Sequence, residues 1–223
     1  MIISHKHKFV FIEVPKTGTS SIRNALKEKL NIKDIYEIEN EKDLHTTDFM
    51  CGLKFGYDNH ITLSKILDRH PYTKDYFKFA FVRNPWDSQV SKYHYYKNGG
   101  IYKRLIGEQI AEQSLSEREL MLHKKSIEHN LFDWSLIYEN PMVQYNYLSV
   151  NKIIKTDFIG RFENIQEDFN KICDKILIDR ITIPHRNKSD HSHYSKYYDD
   201  ESKQYVAEVC KQDILEFGYY YDK

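Results

Sequence analysis

The sequence predicts an α/β fold with a mainly parallel sheet, because short apolar runs alternate along it with helical patterns. Two runs, FVFIEV at residues 9–14 and FKFAFV at residues 77–82, combine β-branched and aromatic residues, which is typical of buried strands. After each run, apolar residues recur at helical spacing. The length of 223 residues suits a single domain spanning residues 1–223.

Composition narrows the class of protein further. Lys and Arg total 33, as do Asp and Glu, so the net charge is zero and no nucleic-acid partner is expected. No run approaches the ~18 apolar residues of a transmembrane helix, and none resembles a signal peptide. Cys51, Cys173 and Cys210 form no paired pattern, which favours a reducing compartment. We therefore expect a cytoplasmic protein with no membrane partner, and no sequence feature sets its oligomeric state.

The first strand leads into a hydroxyl-rich turn, PKTGTSS at residues 15–21. Ile22, Leu26 and Leu30 follow at helical spacing, so a helix begins within residues 19–21. The first N–H groups of a helix lack intrahelical partners and attract anions. The turn adds one lysine, one glycine and four hydroxyls: Lys16, Gly18, Thr17, Thr19, Ser20 and Ser21. This combination predicts a site for a phosphate-like group.

Of two other interpretations of this turn, the sequence does not match the first, and the second stays open. The Walker A pattern of nucleotide triphosphatases places its lysine after the second glycine. Lys16 instead precedes the turn's single glycine, so that pattern is not matched. An ordinary β–α turn with helix-capping Thr and Ser residues also fits.

A short helix is predicted next, because Leu63, Ile66 and Leu67 share one helical face. His60 lies at its start, and position alone explains His60 as a capping or surface histidine.

The second strand, residues 77–82, ends where Pro85 forbids its continuation, and residues 86–96 suit a helix. Arg83 therefore lies at the carboxyl end of a strand, where open α/β sheets bind their ligands. Ser91 follows eight residues later. Taken singly, Arg83 also fits a surface ion pair and Ser91 a small residue on a helix face.

Residues 97–150 have the least regular pattern and are expected to form a substrate-side helical and aromatic segment. Residues 105–130 look helical, with a capping box at residues 116–119. Residues 132–148 are rich in aromatic side chains, most of which we expect to be core residues.

A third strand and its exit are predicted at residues 157–163, with Arg161 and Phe162 at its end. Asn164 then caps a helix. Residues 181–184 are a candidate short strand, and residues 200–217 a final helix. The polar loop between them contains Arg186, Lys188 and Ser189; its histidines lack metal-ligand spacing, so no metal site is expected.

Taken in this order, the segments resemble the PAPS-dependent sulfotransferase superfamily, especially its carbohydrate-type, sulfotransferase family 2-like branch (PAPS is 3′-phosphoadenosine 5′-phosphosulfate). PKTGTSS resembles the family's 5′-phosphosulfate loop, FVRNPWDSQVSKYHYY its 3′-phosphate motif, and IGRFENIQEDF the segment after a later core strand. The chain from RNKSDHSHYSKYYDDES to DILEFGYYY resembles the family's C-terminal pattern, while residues 31–56 and 97–140 lie outside the match. The resemblance implies a P-loop-like three-layer sandwich, with a central, mainly parallel sheet flanked by helices.

The resemblance also implies roles for individual residues. Lys16, Gly18, Thr19, Ser20 and Ser21 would hold the 5′-phosphosulfate, and Arg83 and Ser91 the 3′-phosphate. Arg161 and Phe162 would lie near the nucleotide, with Arg186, Lys188 and Ser189 in a loop closing over it. His60 falls where several carbohydrate sulfotransferases carry a catalytic histidine. Ser88 stands where an arginine often occurs in the family, which puts one basic contact in doubt.

The implied activity is sulfuryl transfer from PAPS to a hydroxyl of a carbohydrate or small hydroxylated metabolite, releasing PAP (3′-phosphoadenosine 5′-phosphate) without a metal. Lys16 would stabilise the departing phosphate, and His60 would act as the base, with Asp58 as a possible orienter and Glu13 as the runner-up base. A P-loop-like ATP-dependent kinase and a non-catalytic nucleotide-binding protein of the same fold are the alternatives.

Overall fold

The computed structural model describes residues 1–30, 60–98, 117–184 and 192–222. Its strands, numbered in chain order, are β1 Ile2–Ser4, β2 Phe9–Ile12, β3 Phe77–Val82, β4 Ser149–Val150, β5 Ile153–Ile154 and β6 Phe158–Arg161. Its helices are α1 Thr19–Lys29, α2 Leu63–Arg69, α3 Pro85–Lys97, α4 Glu117–Glu128, α5 Leu131–Ile137, α6 Tyr145–Leu148, α7 Ile165–Lys175, α8 Asp200–Val209 and α9 Lys211–Phe217. None of these helices is long and apolar enough to cross a membrane.

The chain divides into two compact units. Among the described residues, the first unit contains residues 1–30, 60–83 and 144–184, and the second contains residues 84–98, 117–143 and 192–222. Each unit has its own hydrophobic core. A single domain over residues 1–223 stays a prediction.

The sheet of the first unit has the strand order β1-β2-β3-β6. β1 runs antiparallel to β2, whereas β2, β3 and β6 are parallel to one another. The carboxyl ends of those three strands therefore meet at one edge of the sheet, where α/β proteins bind ligands. The predicted fold class, α/β with a central, mainly parallel sheet flanked by helices, is confirmed.

β2 and β3 are buried on both faces, which explains why each forms a continuous apolar run in the sequence. One face carries aromatic residues that pack against α1 and α7: Phe9, Phe11, Phe79 and Phe81 against Ile22, Leu26, Phe169 and Ile172. The other face carries Val10, Ile12, Ala80 and Val82, which are at most 1% exposed. Burying each Val, Ile, Leu or Phe side chain contributes about 1.5–3 kcal/mol, so this core supplies much of the unit's stability.

The second unit is built around two tryptophans on α3 and α5. Trp134 is fully buried, and its indole N–H donates to the Leu122 carbonyl at 3.2 Å. Trp86 is 3% exposed, and its indole N–H donates to the Lys203 carbonyl at 3.0 Å. The predicted substrate-side segment thus contributes Leu122 and Trp134 to a core, in line with the expectation that most of its aromatics are core residues. Its role toward a substrate stays a prediction.

Most element boundaries agree with the sequence. β3 and the start of α1 lie where predicted, and β2 ends at Ile12 rather than Val14. Asn164 precedes α7 as predicted, but its side chain makes no capping hydrogen bond. The capping box predicted at residues 116–119 begins outside the described residues.

Two predicted elements are wrong. Residues 181–184 form no strand, because a glutamine side chain takes the place of a neighbouring strand. Gln166 donates to the Ile181 carbonyl at 2.9 Å and accepts from the Ile183 N–H at 2.8 Å. The helix predicted over residues 200–217 is two helices, α8 and α9, because the backbone leaves helical geometry at Cys210. The buried Cys210 thiol is anchored there by the Met142 carbonyl at 3.6 Å.

Candidate active site

The site residues of the first unit follow the three parallel strands at one edge of the sheet. Residues 15–21 follow β2, Arg83 follows β3, and Phe162 follows β6. The sequence predicts that these strand ends converge, and direct contacts join them.

The loop after β2 contains two residues in the left-handed backbone region, which favours glycine. Lys16 and Gly18 both have positive φ, at 65° and 80°. A Cβ at Gly18 would lie 2.5 Å from Cδ1 of Ile165 and 3.3 Å from the Phe162 ring. Gly18 is therefore required both for its backbone angle and for its packing against the residues that follow β6.

Gly18 is also the N-cap residue of α1, and it has no side chain with which to cap the helix. Its carbonyl accepts from the N–H groups of Ser21 and Ile22 at 3.0 and 3.2 Å. The N–H groups of Thr19 and Ser20 lie in the first turn of α1, where the positive end of the helix dipole attracts negative charge. The loop thus has the geometry of an anion site at a helix N-terminus.

The loop hydroxyls differ in what they can do. Thr17 is fully buried, and its hydroxyl donates to the Val14 carbonyl at 2.8 Å, which fixes the turn. Thr19 and Ser21 are buried within the first turn of α1, whereas Ser20 is exposed. Thr17 therefore serves the loop's shape, while Ser20 is the most accessible of the four hydroxyls.

Arg83 joins the loop to the end of β6. Its side chain is 6% exposed, and Nη1 donates to the Lys16 carbonyl at 3.1 Å. The guanidinium lies over the Phe162 ring, 4.0 Å from the ring centroid, where a cation–π attraction holds it. Because Phe162 also packs against Gly18, these four residues form one continuous cluster with a fixed positive charge.

His60 contacts the same edge of the sheet through Glu13, which directly follows β2. Its Nδ1 lies 2.7 Å from the Glu13 carbonyl oxygen. A carbonyl can only accept, so Nδ1 carries the proton and the neutral ring has its lone pair on Nε2. Thr62, not His60, caps α2, since its side chain accepts from the Lys65 N–H at 3.5 Å. The neutral tautomer of His60 is thus suited to accept a proton at Nε2.

The Glu13 side chain is a buried anion held by positive groups. It is 1% exposed, accepts from both Nε and Nη2 of Arg23, and lies 3.2 Å from the Met1 amino group. Burial alone would raise the pKa of this carboxyl, but the Met1 amino group, Arg23 and His60 together hold the pKa below its usual range. Glu13 is therefore a weak base that anchors its surroundings.

The remaining predicted residues are placed as follows. The Arg161 N–H donates to the Asp168 carboxylate at 2.8 Å, which ties the end of β6 to α7. Ser91 lies on α3 in the second unit and is 4% exposed. Asp58, Arg186, Lys188 and Ser189 lie outside the described residues. In the described ranges, no group of three or more His, Cys, Asp or Glu side chains could hold a metal ion.

One residue of this region was missed by the sequence analysis. Gln144, which is fully buried, exchanges two hydrogen bonds with the main chain of Arg83. A lone glutamine in an aromatic segment gives no signal of a partner 61 positions away.

The model of the Sulfotransferase family matches residues 1–220. Carbohydrate sulfotransferase 14 of Danio rerio is 24% identical over 236 residues, which cover 98% of this chain and 60% of that protein. An uncharacterized protein of Archaeoglobus fulgidus is 35% identical over 101 residues, which cover 45% of this chain and 68% of that protein. The crystal structure of mouse sulfotransferase SULT7A1 complexed with PAP has 13% identity and a TM-score of 0.47, covering 96% of this chain and 86% of that chain.

Proposed function

The chain belongs to the sulfotransferase family, and we propose that it transfers a sulfuryl group from PAPS to a hydroxyl of a carbohydrate or small hydroxylated acceptor. One observation carries the proposal. The buried guanidinium of Arg83 is fixed between the Phe162 ring and the Lys16 carbonyl, beside a helix N-terminus that begins at a glycine. That arrangement suits a ligand with two separate anionic groups.

The residues present fit PAPS. Gly18 leaves room at the loop because a Cβ there would press on Phe162 and Ile165. The start of α1, with Lys16, Thr19, Ser20 and Ser21, would hold the 5′-phosphosulfate through N–H groups, hydroxyls and one ammonium group. Arg83 would hold the 3′-phosphate through its guanidinium. When bound, PAPS supplies a sulfuryl group on an activated phosphosulfate linkage.

Lys16 and α1 would supply the electrostatic part of catalysis. In transfers of this kind, negative charge grows on the leaving phosphate oxygen as its bond to the transferred group breaks. A cation and N–H dipoles that are already oriented toward that oxygen lower the barrier, because they need no rearrangement during the reaction. The half-buried Lys16 and the first turn of α1 are the groups suited to this role.

His60 would act as the general base. The acceptor hydroxyl gives its proton to Nε2 while its oxygen forms the new bond to sulfur, and PAP leaves with the electrons of the broken S–O bond. The hydrogen bond from Nδ1 to the Glu13 carbonyl supports this assignment because it sets the tautomer. Glu13 is the weaker candidate, since Arg23 and the Met1 amino group pair with its carboxylate.

A carbohydrate acceptor is supported by the similarity to a carbohydrate sulfotransferase along 98% of this chain. This chain spans 60% of that relative, so the acceptor and the whole activity are proposals. No step of the mechanism requires a metal, because the leaving group is neutralised by protein groups.

The direct test is a transfer assay with radiolabelled PAPS, without magnesium, against a panel of oligosaccharides and small hydroxyl compounds. We expect label in at least one acceptor and equimolar release of PAP. The His60→Asn variant is the control, because Asn can still donate to the Glu13 carbonyl but cannot act as the base. If the protein binds PAP but labels no acceptor, the enzymatic proposal is wrong and a nucleotide-binding role remains. Magnesium-dependent phosphate transfer from ATP would instead identify a kinase.

A further inference from the structure

We propose that Gln144 is the positioning residue for Arg83, and that it thereby sets the preference of the site for a nucleotide carrying a 3′-phosphate. This inference rests on the proposed function and assigns a role to a residue outside the recognised motifs. Its basis is a pair of hydrogen bonds to the main chain of Arg83. The Arg83 N–H donates to Oε1 of Gln144 at 2.8 Å, and Nε2 of Gln144 donates to the Arg83 carbonyl at 2.7 Å.

The pair of bonds replaces a strand neighbour at the point where the sheet stops. The β3–β6 register ends with Val82 opposite Arg161, and the β2–β3 register ends with Ala80 opposite Ile12. Arg83 follows Val82, so it lies past the last paired residue of β3 on both sides. A primary amide carries one acceptor and two donors, and it can therefore satisfy both groups as a peptide of an adjacent strand would.

Burial makes this contact specific. Gln144 is fully buried and Arg83 is 6% exposed, so water is a poor substitute for either partner. Losing the amide would leave the N–H and carbonyl of Arg83 without these bonds in a buried setting, and the main chain would move to recover them. The position of the Arg83 Cα therefore depends on Gln144.

A shift of the Arg83 Cα would also move the Arg83 guanidinium. The guanidinium has defined contacts with the Phe162 ring at 4.0 Å and with the Lys16 carbonyl at 3.1 Å. Charge-assisted hydrogen bonds to phosphate depend on the direction of the N–H groups as well as on charge. Gln144 thus acts on the 3′-phosphate through Arg83, without touching the nucleotide.

Gln144 could instead contribute only to stability. Comparing the binding of PAP with that of AMP distinguishes this role from a positioning role. PAP and AMP share the adenosine and the 5′-phosphate, and differ only in the 3′-phosphate. The ratio of their affinities therefore measures the interaction with that phosphate alone. A variant that merely lowers stability would leave this ratio unchanged at temperatures where the protein stays folded.

The experiment is calorimetric titration of the full chain with PAP and with AMP, for wild type, Gln144→Met and a control. Thr73→Val is the control, since Thr73 lies outside the recognised motifs, is fully buried, and loses the hydroxyl that donates to the His70 carbonyl at 2.7 Å. Thermal unfolding of each variant gives the temperature range in which it is folded.

We expect Gln144→Met to lower the PAP-to-AMP affinity ratio about tenfold, mainly through PAP, as expected for a misdirected charged hydrogen bond. Thr73→Val should keep the wild-type ratio while lowering the melting temperature. Adding Gln144→Met to Arg83→Ala should cause little further loss in the ratio, because Gln144 acts only through the contact that Arg83→Ala has already removed.

The experiment distinguishes failure of this inference from failure of the proposed function. If wild type binds PAP more tightly than AMP and Gln144→Met keeps the ratio, the positioning role is refuted while the proposed function stands. An additive effect of the two substitutions would also refute it. If wild type does not distinguish PAP from AMP, the proposed function itself fails, and this inference with it.

Discussion

Replacing Gly18 with alanine should damage both stability and nucleotide binding, because the new Cβ meets the residues after β6. The strain of a non-glycine residue at φ 80° is about 1–2 kcal/mol. The Cβ would also lie 2.5 Å from Cδ1 of Ile165 and 3.3 Å from the Phe162 ring. The Ile165 methyl group is at the end of a flexible side chain and can move, but the ring must shift, which adds about 1 kcal/mol.

Gly18→Ala should therefore lower the free energy of unfolding by about 2–3 kcal/mol, which lowers the melting temperature by about 6–9 °C for a protein of this size. Gly218→Ala is a matched control, since Gly218 ends α9 with a similar φ of 63° in an exposed position of the second unit. It should cost about 1 kcal/mol, or about 3 °C.

Thermal unfolding followed by circular dichroism measures the difference, and calorimetry with PAP measures the consequence for the site. Because the displaced Phe162 ring supports the Arg83 guanidinium, PAP affinity should fall at least tenfold in Gly18→Ala and stay at the wild-type value in Gly218→Ala. Equal losses of stability in the two variants, or unchanged PAP binding by Gly18→Ala, would refute the reasoning.

Two further substitutions test the surroundings of His60. His60→Asn should lower transfer about 100- to 10,000-fold in the radiolabel assay with PAP affinity unchanged, and a matching loss of affinity would contradict a role as base. Glu13→Gln should lower the free energy of unfolding at neutral pH by about 2 kcal/mol in urea denaturation, since it removes the charge paired with Arg23. The pKa of Glu13 is lowered by folding, so its contribution is present above the ordinary value of about 4.3 and is lost as pH falls through the folded value. The difference between wild type and Glu13→Gln should therefore shrink in acid; a constant difference would mean that the carboxylate charge is not its source.

The sequence was sufficient to predict the elements that have a clear local hydrophobic pattern. The apolar runs of β2 and β3 predicted buried strands, and their alternation with helices predicted a parallel sheet. The same topology predicted that three segments would meet at one edge of the sheet, because parallel strands end together. These segments are the loop with Lys16, the end of β3 with Arg83, and the end of β6 with Phe162.

Short elements and side-chain contacts could not be predicted in this way. β1 has three residues and β4 and β5 have two each, too few to show a period. Gln144 and Gln166 each take the place of a strand neighbour with a side-chain amide, and such a bond depends on residues distant in the chain. The stacking of Arg83 on Phe162 likewise depends on the register of β3 and β6, which pattern alone does not specify.

The most direct test of the central claim is calorimetric titration of wild type and Arg83→Ala with PAP, without magnesium. We predict tight binding by wild type and a loss of about 100-fold in Arg83→Ala, since a buried charge-assisted contact to a phosphate contributes about 1.5–3 kcal/mol. Absence of PAP binding by wild type, or equal affinity in the two proteins, would contradict the assignment of this edge of the sheet as the PAPS site.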